Sequence, residues 1–271
     1  MDDNSKIKSY YQNSYDEHGR MERNQLEFIR SKEIISRYLS KTPMEIADIG
    51  GATGVYSYWL ASQGHNVHLL DFTPSHIEQA KEYGKKHNVS LASYHCGDAR
   101  HLLFEDNYFD VVLEMGPLYH LQDKNDRLLC LSEAKRVLKP GGVLLCALIS
   151  RYASLLDGFD EMLIEDDRFI KILDGGLETG LHSPGETHFF TSAFFHTPSD
   201  IESELITSGF SDIEFIAVEG FARAVNTNEI LKNEQHTKLF LEYIKKTERI
   251  PELMGMSDHF FAVTFKDKPK D

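Results

Sequence analysis

Met44-Glu45-Ile46-Ala47-Asp48-Ile49-Gly50-Gly51-Ala52-Thr53-Gly54 decides the fold. Its apolar run reads as a short buried strand that passes directly into a glycine turn, and the residues up to Gln63 read as a helix. Gly64 closes that helix, since glycine tolerates the left-handed geometry of a helix end. Val67-His68-Leu69-Leu70-Asp71 follows as a second buried strand with an acid at its tip. Thr73-Pro74-Ser75 opens a helix to about His87, and residues 91–96 and 108–114 read as a third and a fourth strand. Residues 124–138 are helical, Lys139-Pro140-Gly141-Gly142 breaks that helix, and residues 143–149 form a fifth, almost wholly apolar strand suited to the centre of a parallel sheet.

The alternation stops after Ser150. Residues 151–197 carry many acids, glycines and aromatics without a clean strand and helix rhythm, which predicts an inserted lid or substrate segment. The rhythm resumes with a helix at 198–208, a strand at 213–218, a helix at 227–246 and a seventh strand at 259–265. Ahead of the core, residues 3–15 are polar with three tyrosines, and the pairs Leu26/Ile29, Phe28/Ile35 and Ile35/Leu39 mark a helical stretch over 22–39. The expected organisation is a helical N-terminal cap (1–43), a doubly wound α/β core (44–150), the lid (151–197) and a C-terminal completion of a seven-stranded sheet (198–271).

The chain has 271 residues, 41% hydrophobic and 27% charged, the composition of an ordinary globular protein with a real core. Its formal net charge of −14 repels polyanions, which argues against nucleic acid and anionic membrane surfaces as partners. Cys96, Cys130 and Cys146 are too widely spaced for a metal or redox pair and read as reduced thiols. The N-terminus has no apolar signal core and no apolar run approaches membrane-spanning length, so the expectation is a cytoplasmic protein with a short fraying tail, KDKPKD.

In a doubly wound sheet the ligand sits outside the carboxyl ends of the strands, where the first turn needs small residues so that backbone can approach it. A pyrophosphate fingerprint would want glycine or alanine at Gly50, Ala52 and Val55, and Val55 does not meet it. The spacing fits Asp-x-Gly-x-(small)-x-Gly instead. With Asp71, Gly97-Asp98-Ala99, the stretch from Phe109 to Leu121 and Glu133-Ala134-Lys135-Arg136-Val137-Leu138-Lys139-Pro140-Gly141-Gly142, this sequence resembles the class I methyltransferase family that uses S-adenosylmethionine. The resemblance covers roughly residues 44–150 and the closing strands, and implies a Rossmann-like sheet with its last strand antiparallel. It implies that Gly50, Ala52 and Gly54 line the methionine moiety of S-adenosylmethionine, with Asp48 supporting the turn from beneath. Asp71 would hold the ribose hydroxyls, Phe72 pack on adenine, Asp98 accept the adenine amine and Ala99 lend its N–H. Glu114 and Met115, ending the fourth strand, complete the core cofactor set. Tyr11 and Tyr15 are candidates to close over the cofactor, with an exposed amphipathic helix as the other reading of that segment.

Methyl transfer needs alignment of a nucleophile and sometimes removal of its proton. Histidine suits the second task, so His120 and His196 are the candidate catalytic residues, with Tyr119, Arg151 and His188 as substrate contacts. Arg151 is the best placed of three candidate carboxylate clamps, the others being Arg20 and Arg30. The series His182, His188, His196 lacks a tight helical pair, and no metal is expected. Phe189, Phe190, Phe194 and Phe195 are expected to divide between a pocket wall and packing of the lid. The function expected is transfer of a methyl group to a small-molecule acceptor, in a protein for which a homodimer is the base-rate expectation. The competing readings are a nicotinamide oxidoreductase, a transferase of another group from the same cofactor, and a non-enzymatic regulator that kept the fold.

Overall fold

The computed structural model describes residues 25–40, 42–185, 187 and 189–267. Three strands set the frame: β1 (Glu45–Ile49), β2 (Asn66–Asp71) and β4 (Phe109–Glu114) run parallel, with Ile49 opposite both Leu70 and Glu114. β3 (Ser93–Cys96) lies outside β2, and β5 (Leu138–Ile149) outside β4. Beyond β5 come β9 (His259–Phe265) and then β8 (Ser211–Ala217), giving the order β3-β2-β1-β4-β5-β9-β8 with β9 antiparallel to both its neighbours. The expected seven-stranded doubly wound sheet is therefore present. Strand order reverses between β1 and β4, and a crevice opens there above the carboxyl ends.

Alternate residues along each strand feed two cores. Ala47, Ile49, Val112 and Leu144 pack on one face with Cys130, Leu131 and Ala134 of the helix Lys124–Val137 and with Ile201 and Leu205 of the helix Pro198–Thr207. Ile46, Leu69, Val111 and Leu113 pack on the other with Ile34 and Ile35 of α1 (Gln25–Ser36), Leu60 of α2 (Val55–Ser62) and Ile77 and Ala80 of α3 (Pro74–His87). This alternation follows from the period of two in a strand. Among the described residues no helix is long and apolar enough to cross a membrane.

The structure differs from expectation in three segments. Lys139-Pro140-Gly141-Gly142 does not interrupt β5; it bulges within it, where the register to β4 shifts between Phe109 and Val111 and Gly141 takes a φ of +78°. Gly141 N–H donates to Lys266 O at 2.6 Å and Lys266 N–H to Gly142 O at 2.9 Å, so pairing carries the strand through. The helix expected at 227–246 is two, Thr227–Ile230 and Glu234–Thr247, because the Asn233 side chain accepts from His236 N–H and starts the second. The segment expected as a lid is largely helical, with helices at Ala153–Asp160 and Asp167–Thr179 followed by a two-stranded ribbon of β6 (Leu181–His182) and β7 (Ala193–Phe194). Asp166 caps the second helix and Gly180 ends it at φ +84°. Phe169 and Leu173 of that helix bury against Phe189.

Candidate active site

A cavity of about 1180 Å³ occupies the crevice above the carboxyl ends of the strands. Its floor is the turn after β1, and that turn is tight for reasons internal to the protein. Gly50 has φ +72°, and a Cβ there would fall 2.5 Å from Pro117 Cδ, so both the backbone conformation and the close approach of the segment after β4 require glycine. Gly50 and Ala52 line the cavity, whereas Gly54 starts α2 at φ +81° and does not. Asp48 lies fully buried beneath the turn, where Ser57 Oγ donates to it at 2.6 Å; burial pushes its carboxyl up to about 6.

Asp71 ties the first two turns together. Its Oδ2 accepts from Ala52 N–H at 3.0 Å, and its Oδ1 accepts from Thr73 N–H at 2.8 Å and lies 3.0 Å from His76 Nδ1. Phe72, Thr73 and His76 line the cavity beside it. Asp98 and Ala99 line the next section. There the Arg100 guanidinium engages both Asp98 oxygens and outweighs the opposing effect of burial, holding the carboxyl below the usual range. His76 and Arg100 were not among the residues read from sequence, since a histidine in the first turn of a helix and an arginine two residues from an acid carry no distinctive signal.

At the end of β4 the wall passes to Met115, Gly116, Pro117 and Tyr119, with the Tyr119 hydroxyl donating to Met115 O at 3.4 Å. Glu114, expected in the cofactor set, is fully buried and is not a lining residue; Cys130 Sγ lies 3.4 Å from its Oε2, and burial pushes its carboxyl up to about 8. Its position follows from register, since Glu114 pairs with Ile49 inside the sheet. His120 does line the cavity, but burial outweighs the attraction of Asp71 and pushes its imidazole down to about 4. It is a neutral ring at pH 7, tilted on Tyr119 and stacked on Phe190.

Other candidates are not on the cavity. His196 is fully buried behind it: its N–H donates to Ile149 O at 3.0 Å, its Nε2 lies 3.5 Å from Glu204, and burial lowers its pKa. The buried pair Arg127–Glu204 at 2.7 Å shares that interior. Arg151 donates from Nη2 to Asp200 at 2.7 Å and from Nε to Phe195 O at 2.9 Å, which fastens the segment after β5 to the helix Pro198–Thr207. Arg30 is held in the interior by Val218 O and Glu248, which docks α1 on the sheet. His182 shares a hydrogen bond with Phe189 O at 2.8 Å. Tyr11, Tyr15, Arg20 and His188 lie outside the described residues.

Residues between β5 and the helix Pro198–Thr207, together with the far strands, supply the rest of the wall. Ile149, Phe190 and Phe195 give it an apolar section, while Phe194 is turned to the cation of Arg127, 3.7 Å from its ring centre. Glu219, past the end of β8, and His259, at the start of β9, line the opposite section with Glu27 of α1. Ligating atoms of these three residues lie within 4.8 Å of one another. Neither Glu219 nor His259 was read as a site residue, because they are 40 positions apart and meet only through the pairing of β8 with β9.

Residues 47–146 match the family model described as a methyltransferase domain. The chain is 33% identical over 150 residues to a demethylmenaquinone methyltransferase of Staphylococcus aureus, covering 55% of this chain and 57% of that protein. It is 30% identical over 126 residues to a ubiquinone biosynthesis O-methyltransferase of Rickettsia canadensis, covering 46% of this chain and 51% of that one. The chain thus spans about half the length of these curated relatives. Its fold is similar to that of a solved S-adenosylmethionine-dependent methyltransferase from Methanosarcina mazei, with a TM-score of 0.59, 20% identity and 86% and 96% of the two chains covered. Residues 47–146 thus match a methyltransferase domain, and in strand order and fold the chain is similar to the class I family of S-adenosylmethionine-dependent methyltransferases.

Proposed function

We propose that this protein transfers a methyl group from S-adenosylmethionine to a small acceptor carrying a hydroxylated aromatic ring. The observation that carries the reading is the Asp71 carboxylate on the cavity wall, held by Ala52 N–H from the turn after β1. A carboxylate offers about four lone-pair sites and three are engaged by Ala52, Thr73 and His76, so Oδ2 retains one for a ribose hydroxyl. Gly50 and Ala52 leave backbone open for the methionine end, Phe72 offers a face for adenine, and Asp98 and Ala99 complete the nucleoside section. Asp48, Gly54 and Glu114 act on this site from beneath, by fixing the turn and the end of β4. The bound cofactor supplies a methyl carbon already activated by a sulfonium.

The acceptor end is assigned to Tyr119, His120, Ile149, Phe190 and Phe195, an apolar and aromatic wall suited to a flat ring. His120, neutral at pH 7, serves as wall and orienting group in this reading and not as the base. Residues 151–197 act as the lid over the acceptor. The names of the two relatives, a demethylmenaquinone methyltransferase and a ubiquinone biosynthesis O-methyltransferase, support an acceptor of the quinone-ring type. Val55 at the third fingerprint position weighs against the nicotinamide alternative.

Calorimetric titration with S-adenosylmethionine, S-adenosylhomocysteine and NADH tests the reading. Saturable binding of the two sulfur nucleotides is expected, weakened by about 1–3 kcal/mol in Asp71→Ala. Melting curves of the variant are read alongside, since the substitution also unpairs two backbone N–H groups. Preference for NADH, or no binding of either sulfur nucleotide, overturns the assignment.

A further inference from the structure

We propose that His259, oriented by Glu219, is the general base that takes the proton from the acceptor's hydroxyl, an inference that rests on the methyl-transfer reading above. His259 Nδ1 lies 2.8 Å from Glu219 Oε1, and both residues line the cavity. Glu219 is itself rigidly held: its Oε2 accepts from Ser257 Oγ at 2.8 Å and from His259 N–H at 3.0 Å. Ser257 Oγ in turn accepts from the N–H groups of Glu219 and Gly220 at 2.9 and 3.0 Å. Burial opposes ionisation of Glu219, but the adjoining His259 outweighs it and keeps the carboxyl below its usual range. An ionised carboxylate only accepts, so Nδ1 is the donor, and it is in the singly protonated form of the ring that Nε2 carries the lone pair. A carboxylate that fixes the tautomer and stabilises the imidazolium is the arrangement that makes histidine an effective base. In the step proposed, the acceptor O–H bond breaks, its electron pair stays on the oxygen that takes the methyl group, and the proton forms an N–H bond at His259 Nε2.

The fold supplies the position. His259 opens β9 opposite Ile149, the last residue of β5, which belongs to the apolar section of the same wall. Among the described residues the charged groups near the ring include Glu27 from α1, Glu219, and the neighbouring Asp258, whose Oδ2 accepts from Arg223 Nε at 2.7 Å. Arg223 also pairs with Asp157 and Asp160 of the lid helix, so its charge is shared among three acids. Glu27, Glu219 and His259 are ligand types that a divalent cation takes, but in this structure both Glu219 oxygens and His259 Nδ1 are engaged with one another or with Ser257. That arrangement favours proton transfer over metal binding.

The test uses the full chain with labelled histidine, following the His259 imidazole by nuclear magnetic resonance across pH 5–9. In the native protein Nδ1 is expected to carry its proton at neutral pH, and Glu219→Gln is expected to lower the His259 midpoint by about one unit or more, with Glu219→Asp restoring part of it. S-adenosylhomocysteine affinity is expected to stay within about twofold in His259→Ala and Glu219→Gln, since neither residue is in the nucleoside section. With catechol and hydroquinone probes, His259→Ala is expected to lower kcat by about 100-fold or more with little change in KM, and Glu219→Gln to shift the acid limb of the pH profile. A His259 midpoint unmoved by Glu219→Gln, a rate retained in His259→Ala, or stoichiometric Mn²⁺ bound at these residues would each overturn the proposal. Failure of the native protein to bind S-adenosylhomocysteine would instead overturn the methyl-transfer reading itself.

Discussion

Glu114→Gln isolates the energetic effect of a single buried carboxyl. Glu114 is fully buried at the end of β4, with Cys130 Sγ at 3.4 Å from Oε2, and Oε1 has no hydrogen-bond partner among the described residues. Burial, offset in small part by Cys130, pushes its carboxyl from 4.5 to about 8, with the charge of Asp48 adding to the rise. The folded state therefore binds a proton that the unfolded chain releases between pH 4.5 and about 8. The native protein is most favoured below the lower value, and this contribution is lost as pH rises through the folded one. At about 1.4 kcal/mol per pH unit the loss reaches about 3 kcal/mol at pH 7 and about 5 kcal/mol at pH 9. Glutamine keeps the shape and removes the titration. Denaturant unfolding of both proteins at pH 5, 7 and 9 gives the stability difference at each pH. A constant offset from the new amide is expected, and on top of it the variant gains on the native protein as pH rises, levelling off above about pH 8. A difference that stays flat from pH 5 to 9 would mean that Glu114 ionises as an ordinary carboxyl and would refute the reasoning.

Gly50→Ala is expected to cost about 1–3 kcal/mol of stability and to weaken S-adenosylhomocysteine binding, because its φ of +72° disfavours alanine and the new Cβ would meet Pro117; thermal melting and calorimetry read both, and unchanged values would show that the turn can relax. Arg127→Met leaves Glu204 buried without its 2.7 Å partner and is expected to cost about 3–5 kcal/mol in urea unfolding, whereas Arg127→Met with Glu204→Leu should recover most of the loss. If the double variant is no better than the single one, the cost lies in packing against Phe194 and not in the unpaired charge.

The core was legible because its signals are local. A strand, a glycine turn and a helix, repeated at short range from Glu45 onward, fix an open parallel sheet, and the acid at the tip of the second strand is marked by its spacing. Lys139-Pro140-Gly141-Gly142 misled because its residue types signal a break, while pairing with Lys266, just past the end of the distant β9, carries the strand through them. The helix Asp167–Thr179 was hidden by its glycines and acids and becomes apparent only where Phe169 and Leu173 meet Phe189.

Among the candidate site residues the division is sharper. Gly50, Ala52, Asp71, Phe72, Asp98, Ala99 and Met115 reach one cavity because each ends or follows a strand at the carboxyl edge, a position that the sequence pattern specifies on its own. Residue type alone could not tell His120 from His196, for burial and neighbours determine what an imidazole does, and both rings are held neutral in the interior. The pairing of His259 with Glu219 was decided by the tertiary structure. It needs β9 to enter antiparallel between β5 and β8, which brings the start of one strand beside the end of another, and no spacing along the chain encodes that contact.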